Sequence, residues 1–503
     1  MTHRRRHTDA SAPTPARAGD VVRLVTGGRR QRAERSATRG PQGSGARSGG
    51  SRSGGSQSGG SRSGGPTVRR LGVVVALAVT LTATAVIVGG AGDKGRPSTT
   101  AAPPLRYPAA PDGLPAGDLD RGVTVLRDRV RESPRDFRSW AALGSAYVEQ
   151  ARTHADPTRY AEADRALGRA LRLRPGYDGA LAGRAALAAA RHDFTGALRY
   201  ADRALAANAY NERALASRID ALVELGSYDR ALRAARTADA RRPGIPVFTR
   251  YAYVRELRGD VTGARAALER ALGSAREPDD IAYVATALAQ LAWRQGHYVE
   301  AARRCAVALR AEPAYVPALE TRGRVRAARG ETAAAVADLR EVVARQPLPG
   351  HLVTLGELYE VRGDRERARE QYALITAWTE LARANGVNAD LDTALAAADH
   401  GDRTTALAAA RAEWGRRHTV HTADALAWAL HGAGRDKEAL RYARRATATG
   451  FREAPFFYHR AVIEHRAGSA RAARHWLRAA LDLNPGFSPV GARDAVRLQK
   501  ELG

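Results

Sequence analysis

One recurring position constrains the fold of this chain more than any other feature. His192, Gly226, Gly259, Gly296, Gly330, Gly363, Gly401, Gly434 and Gly468 follow one another at intervals of 34, 33, 37, 34, 33, 38, 33 and 34 residues. Five residues after each stands an alanine: Ala197, Ala231, Ala264, Ala301, Ala335, Ala368, Ala406, Ala439 and Ala473. Many of the intervals also close on a proline, at Pro175, Pro243, Pro278, Pro313, Pro347 and Pro485. Glycine supplies a left-handed turn between two helices, proline stops the second helix, and the small alanine lets the pair approach closely. A unit of this length cannot bury its apolar face alone, so successive units stack on one another.

Composition agrees with helices. Of 503 residues 44% are hydrophobic but only 6% aromatic, so the apolar content comes largely from Ala, Leu and Val, the diet of packed helices rather than sheets. The chain is too long for one compact core. Cys305 is the sole cysteine, which excludes a disulfide scaffold, and a single long apolar run excludes a polytopic membrane protein.

The first unit carries Trp140-x2-Leu143-Gly144-x2-Tyr147, and its second half reads Tyr160-x2-Ala163-x6-Ala170-Leu171-x-Leu173-x-Pro175. These motifs resemble the tetratricopeptide repeat, whose period is also 34 residues, and the resemblance covers most of residues 118–501. An extra piece around Gln150–Arg159 separates the two halves of the first repeat. Only the first repeat has Trp at its anchor; the seventh keeps Leu355-Gly356-x2-Tyr359. The eighth, about 388–418, is the most degenerate, and its predecessor has an overlong second helix from about Arg365 to Ala384. The resemblance implies an all-α fold, a right-handed α-solenoid of about ten helix-turn-helix repeats over 118–487. Residues 118–133 are expected to form a leading helix. Residues 488–503 are expected to form a capping helix, with Ser488 as its N-cap and Pro489 in its first turn.

In this family the first helix of each repeat lines a concave groove that holds extended or helical peptides. The resemblance therefore places Arg138, Ser145 and Glu149 in the groove, then Arg213, Asp220 and Glu224, then Tyr253, Glu256, Tyr283, Gln290, Trp293 and Arg294. Further along it places Glu320, Arg324, Glu357 and Glu360 there. Asp424, Trp428, His431, Tyr458, His465 and Arg466 close the series. The acids on this floor disfavour nucleic acid and favour a mixed or basic peptide. Tyr, Trp and Arg are the usual anchors of binding hot spots; packing between neighbouring repeats is the alternative for Tyr253, Tyr283 and Trp293. Chaperone-binding members hold a ligand's C-terminal carboxylate with Lys and Asn. No such set occurs here, and Lys94, Lys437 and Lys500 are the only lysines.

The residues before the array differ in kind. Residues 1–66 are rich in Gly, Ser and Arg, and residues 1–70 hold 15 Arg against Asp9, Asp20 and Glu34. Such a stretch cannot build a core and is expected to be a disordered basic tail, able to touch anionic lipid. The apolar run 71–88, within 67–92, is long enough for a transmembrane signal-anchor helix, and Arg69 and Arg70 before it place the N-terminus in the cytoplasm. The alternatives are a cleaved signal peptide, for which Ala83-Thr84-Ala85 would be the site, and a buried core helix. Residues 93–117 read as a Pro/Ala-rich stalk. The expectation is a single-pass plasma-membrane protein with an extracytoplasmic repeat array, of actinobacterial-like composition.

Formal net charge is +27. GC-rich coding explains this Arg and Ala usage better than a nucleic-acid partner does. No GxxxxGK[ST], HExxH or GxSxG motif is present, and no enzyme activity or cofactor is expected. Cys305 falls where a small buried residue packs. His418 and His421 lie three apart, with only Asp424 near enough in sequence to suggest a metal site. His459 and His465 share a helix without sharing a face. The expected function is a non-catalytic scaffold or adaptor that docks a protein at the cell envelope. The alternatives are a regulatory protein with a nucleic-acid-binding tail, or an accessory subunit of an envelope polymer synthesis or export complex.

Overall fold

The computed structural model describes residues 116–154, 158–384 and 387–503, all within the unit Val74–Gly503. The basic tail, the apolar run 71–88 and the stalk up to residue 115 lie outside the described residues. Among the described residues every regular element is a helix.

A leading helix α1, Ala116–Glu132, precedes ten hairpins. They are α2 Phe137–His154 with α3 Arg159–Leu173, α4 Asp178–Ala190 with α5 Phe194–Ala207, and α6 Glu212–Glu224 with α7 Tyr228–Arg241. Next come α8 Ile245–Leu257 with α9 Val261–Ser274, α10 Pro278–Arg294 with α11 Tyr298–Ala311, and α12 Val316–Ala328 with α13 Thr332–Arg345. The last four are α14 Pro349–Val361 with α15 Arg365–Ala384, α16 Asp390–His400 with α17 Arg403–Arg416, α18 Val420–Gly432 with α19 Asp436–Ala446, and α20 Ala454–Arg466 with α21 Ala470–Leu483. Helix α22, Gly491–Leu502, closes the array.

The local chemistry of the hairpins is repetitive. Asp193, Asn211, Asp260, Asp402 and Thr419 cap helix N-termini through their side chains, satisfying backbone N–H groups that the helix leaves open. Proline sits in the first turn of α8, α10, α12, α14 and α20, where its missing N–H costs nothing. The alanine five residues past each turn is at most 2% exposed at all nine positions, wedged where the two helices of a hairpin meet. First helices of successive hairpins pack against one another, whereas second helices of neighbouring hairpins make no comparable contact. The first helices therefore form the inner row of the curve.

The turn residue is left-handed at His192, Gly226, Gly259, Gly296, Gly330, Gly363, Gly434 and Gly468. Gly401 departs from this series: its φ is −137°, extended rather than left-handed. This is the eighth repeat, with the shortest first helix, following the 20-residue α15. The closing helix also opens two residues later than Pro489. Ser488 still acts at its start, accepting the Gly491 N–H at 2.9 Å and donating to Glu357 at 2.8 Å.

The array winds far enough to touch itself. Turns of the third, fourth and fifth hairpins meet the junctions that follow the eighth, ninth and tenth. Tyr228 Oη accepts the Val420 N–H at 2.9 Å. Asn484 Nδ2 donates to the Trp293 carbonyl at 2.9 Å, Tyr298 Oη donates to Asn484 Oδ1 at 2.6 Å, and the Gly486 N–H donates to Tyr298 Oη at 2.8 Å. Arg417 is buried between Glu224 of α6 and Glu413 of α17, paired with both. A Cβ on Gly259 would stand 2.6 Å from the Gly450 carbonyl oxygen, and one on Gly296 2.5 Å from that of Leu483. Backbone meets backbone along this seam.

The expected single-pass plasma-membrane topology is corrected. No helix among the described residues is long and apolar enough to cross a membrane. The longest, α15, carries Arg365, Glu366, Arg367, Arg369, Glu370, Glu380 and Arg383, and such charges are costly in hydrocarbon.

Candidate functional site

The inner row of helices encloses a cavity of about 440 Å³. Its wall is contributed by α8 (Tyr253), α10 (Trp293, Arg294), α12 (Arg324), α14 (Glu357), α16 (Asp392, Asp399, His400), α18 (His421, Asp424, Trp428) and α20 (Tyr458, His459), with Glu453 just before α20. Residues Ser488 to Gly491 and Asp494 close one side. Side chains about 200 residues apart meet here because the winding superposes the late first helices on the early ones.

Trp428 organises one wall. Its ring stacks on His459 at 4.2 Å and on His431 at 4.9 Å, and its Nε1 donates to Asp399 Oδ1 at 2.6 Å. His459 Nδ1 lies 2.9 Å from Asp424 Oδ2. Burial opposes protonation of His459, but the Asp424 carboxylate outweighs it and raises the imidazole above its ordinary pKa. Asp399 is exposed at the cavity wall, and desolvation by the groups around it raises its carboxyl against the lowering influence of His459 and Trp428. His400 stacks on Tyr372 at 4.0 Å and stands 3.7 Å from Glu357. Burial lowers its pKa, Glu357 raises it, and the net direction is up.

On the facing wall Arg294 is held by both oxygens of Glu256, at 2.6 and 2.8 Å. Arg324 pairs with Glu320 and covers the Trp293 ring at 5.4 Å. Glu453 is 9% exposed; burial pushes its carboxyl up to about 7, with Arg294 pulling it down and Glu256 pushing it further up. Each arginine of the wall has its own carboxylate, so Asp399, Asp424 and Glu453 give the interior its acidic character.

Eight of the groove residues expected from the sequence, Tyr253, Trp293, Arg294, Arg324, Glu357, Asp424, Trp428 and Tyr458, line this one cavity. Tyr283 and Gln290 line a smaller cavity of about 60 Å³ beside Tyr253 and Glu256. His431 pairs with Asp436 at 2.5 Å and opens, with His465 and Arg466, on a separate cleft. Other positions are engaged within the scaffold. Asp220 accepts from the buried Arg250 at 2.9 Å, Arg213 donates to Ser145 at 2.9 Å, and Glu224 belongs to the Arg417 cluster. Glu149 pairs with Arg152, Glu320 with Arg324, and the exposed Arg138 lies beside the Phe137 ring. Trp293 and Tyr283 are buried in the core as well as facing a cavity.

Asp399, His400 and Glu453 were not among the expected groove residues. Asp399 and His400 fall in the degenerate eighth repeat, where no motif fixes the register. Glu453 precedes its helix, outside the helical face pattern, and only its position just before the helix with Pro455 marks it. The histidine spacing suggests no more than surface or groove residues. His421 packs against Phe451 and Phe456, and burial with Arg417 and Arg294 pushes it down to about 3. His418 lies edge-on to Trp414. Among the described residues no group of three or more His, Cys, Asp and Glu is placed to hold a metal ion.

No protein-family model and no curated protein matches the sequence. Among solved structures, similarity extends to a tetratricopeptide repeat protein from Parabacteroides merdae, 18% identical over 48% of this chain and 96% of that one, with a TM-score of 0.36. The type IV pilus biogenesis factor PilW is 20% identical over 40% of this chain and 92% of that one, with a TM-score of 0.34. A human IFIT1 dimer with PPP-AAAA is 14% identical over 73% of this chain and 87% of that one, with a TM-score of 0.43. None of these supports a membrane anchor or an actinobacterial affinity. The 34-residue period, the paired helices and the inner row of first helices themselves make the described residues an all-helical array of tetratricopeptide type.

Proposed function

We propose that the array is a non-catalytic scaffold that takes a segment of a protein partner into the cavity on its inner face. The observation that carries this reading is the cavity itself: about 440 Å³, within the range of sites that hold a few side chains or a small molecule. It is walled by Tyr253, Trp293, Trp428 and Tyr458, residue types that anchor binding hot spots. Its acids favour a basic or mixed segment and repel a phosphate backbone.

The test is selection of a randomised peptide library against the full chain, followed by affinity measurement on variants. Enriched peptides should bind Trp428→Ala and Tyr253→Ala at least about tenfold more weakly, the scale of a hot-spot residue. They should bind Tyr210→Ala unchanged, because Tyr210 is 64% exposed in the loop between α5 and α6, away from the cavity. Peptides that bind all three variants equally well would place docking elsewhere and end this reading.

A further inference from the structure

We propose that Asp424 and Glu453 form a receptor for a single organic cation, a guanidinium or primary ammonium group, in the wall of the inner cavity. This receptor is part of the docking cavity proposed above and rests on that reading.

Asp424 is 2% exposed and lines the cavity. Its Oδ2 is occupied by His459, while Oδ1 is buried and has no hydrogen-bond partner. A buried acceptor left without a donor is unfavourable and uncommon. Glu453 is also buried and lines the same cavity, and no described residue donates to its carboxylate. The arginines of the cavity are bonded elsewhere: Arg294 to Glu256 and Arg324 to Glu320. Asp424 thus has only His459, on Oδ2, and Glu453 feels Arg294 and Arg324 through charge without a hydrogen bond from either. A guanidinium offers five N–H donors and an ammonium three, donors enough for both acids, which lie near enough to influence each other, and charge-assisted bonds of this kind are the strong ones. Trp293 and Tyr253 stand on the same wall with Nε1 and Oη buried and unpartnered, and their rings suit the aliphatic stem that carries such a head.

Proton linkage gives the receptor a signature. Glu453 is faced by Glu256 from α8, Arg294 from α10, Arg324 from α12 and Asp424 from α18. With its carboxyl held at about 7, the acid is partly protonated near neutrality. A bound cation favours the carboxylate, so binding expels a proton, and affinity rises as pH rises from 6 to 8.

Two sources share this chemistry: a side chain on a peptide and a free small molecule. The full chain is titrated by calorimetry with methylguanidine, with acetyl-Tyr-Arg-Tyr-amide, and with the same peptide bearing neutral citrulline in place of arginine. The arginine peptide should bind about tenfold or more tighter than the citrulline peptide, and methylguanidine should compete with it. Both isosteric variants, Asp424→Asn and Glu453→Gln, should fold as the parent does and remove that difference, and Glu453→Gln should flatten the pH dependence. Equal binding of the two peptides would overturn the cation receptor and leave peptide docking standing. Binding of methylguanidine with neither peptide would uphold the receptor and overturn peptide docking. No binding by any probe at millimolar concentration would overturn both.

Discussion

Glu453 shows how one residue reports on the cavity. Its carboxyl is raised from the ordinary 4.5 to about 7, so between these values the folded protein holds a proton that the unfolded chain has lost. Stability therefore falls as pH rises through that window. Glu453→Gln removes this cost: the variant should match the parent at pH 5 and exceed it by roughly 1–3 kcal/mol at pH 8 in urea unfolding. A stability difference independent of pH would show that Glu453 ionises normally. Cys305 gives a complementary case. It is fully buried in α11, and burial pushes its thiol up to about 12. Since the thiolate is the nucleophile, the native protein should resist iodoacetamide at pH 8 and be labelled only after denaturation. The buried, structural role of Cys305 was legible from its place in the second helix of a repeat. The environment of Glu453 was not, because the groups that set its proton affinity come from four other helices.

At the scale of the element, the same turn repeats with different stakes. Gly259 and Gly363 both have φ near +80°, so alanine at either position costs roughly 1–2 kcal/mol in backbone strain. Around Gly363 nothing lies within 4 Å of an added Cβ, whereas at Gly259 it meets the Gly450 backbone. Gly259→Ala should therefore lose about 1–3 kcal/mol more than Gly363→Ala, the range of an overpacked contact. Equal losses in urea unfolding would mean that the seam yields freely. The all-helical class, the hairpin turns and the overlong α15 could be read from the sequence, because turn chemistry and helical period are local. Gly401 could not: it occupies the turn register, yet its backbone is extended, and the degenerate repeat around it offers no motif to reveal that.

For the whole molecule the decisive contact is the seam. Arg417, Glu224 and Glu413 are all nearly fully buried, and removing the arginine takes away the cation that joins Glu224 to Glu413, although Glu413 keeps Arg416 at 2.8 Å. Arg417→Ala should cost roughly 3–5 kcal/mol. It should also raise hydrogen exchange around Tyr228 and Val420 together, although these lie 192 residues apart in sequence. Loss of protection confined to α17 and α18 would show that the two windings are not coupled. The sequence by itself determined the helical hairpin, its period, the buried alanines and the residue types of the inner row, since each is encoded within one repeat. Only the tertiary structure decided that the third to fifth hairpins lie against the eighth to tenth, and that Asp424, Glu453 and Arg294 share one cavity. The physical reason is cumulative: each hairpin turns slightly on the last, and the sum over five or six hairpins is written in no single repeat.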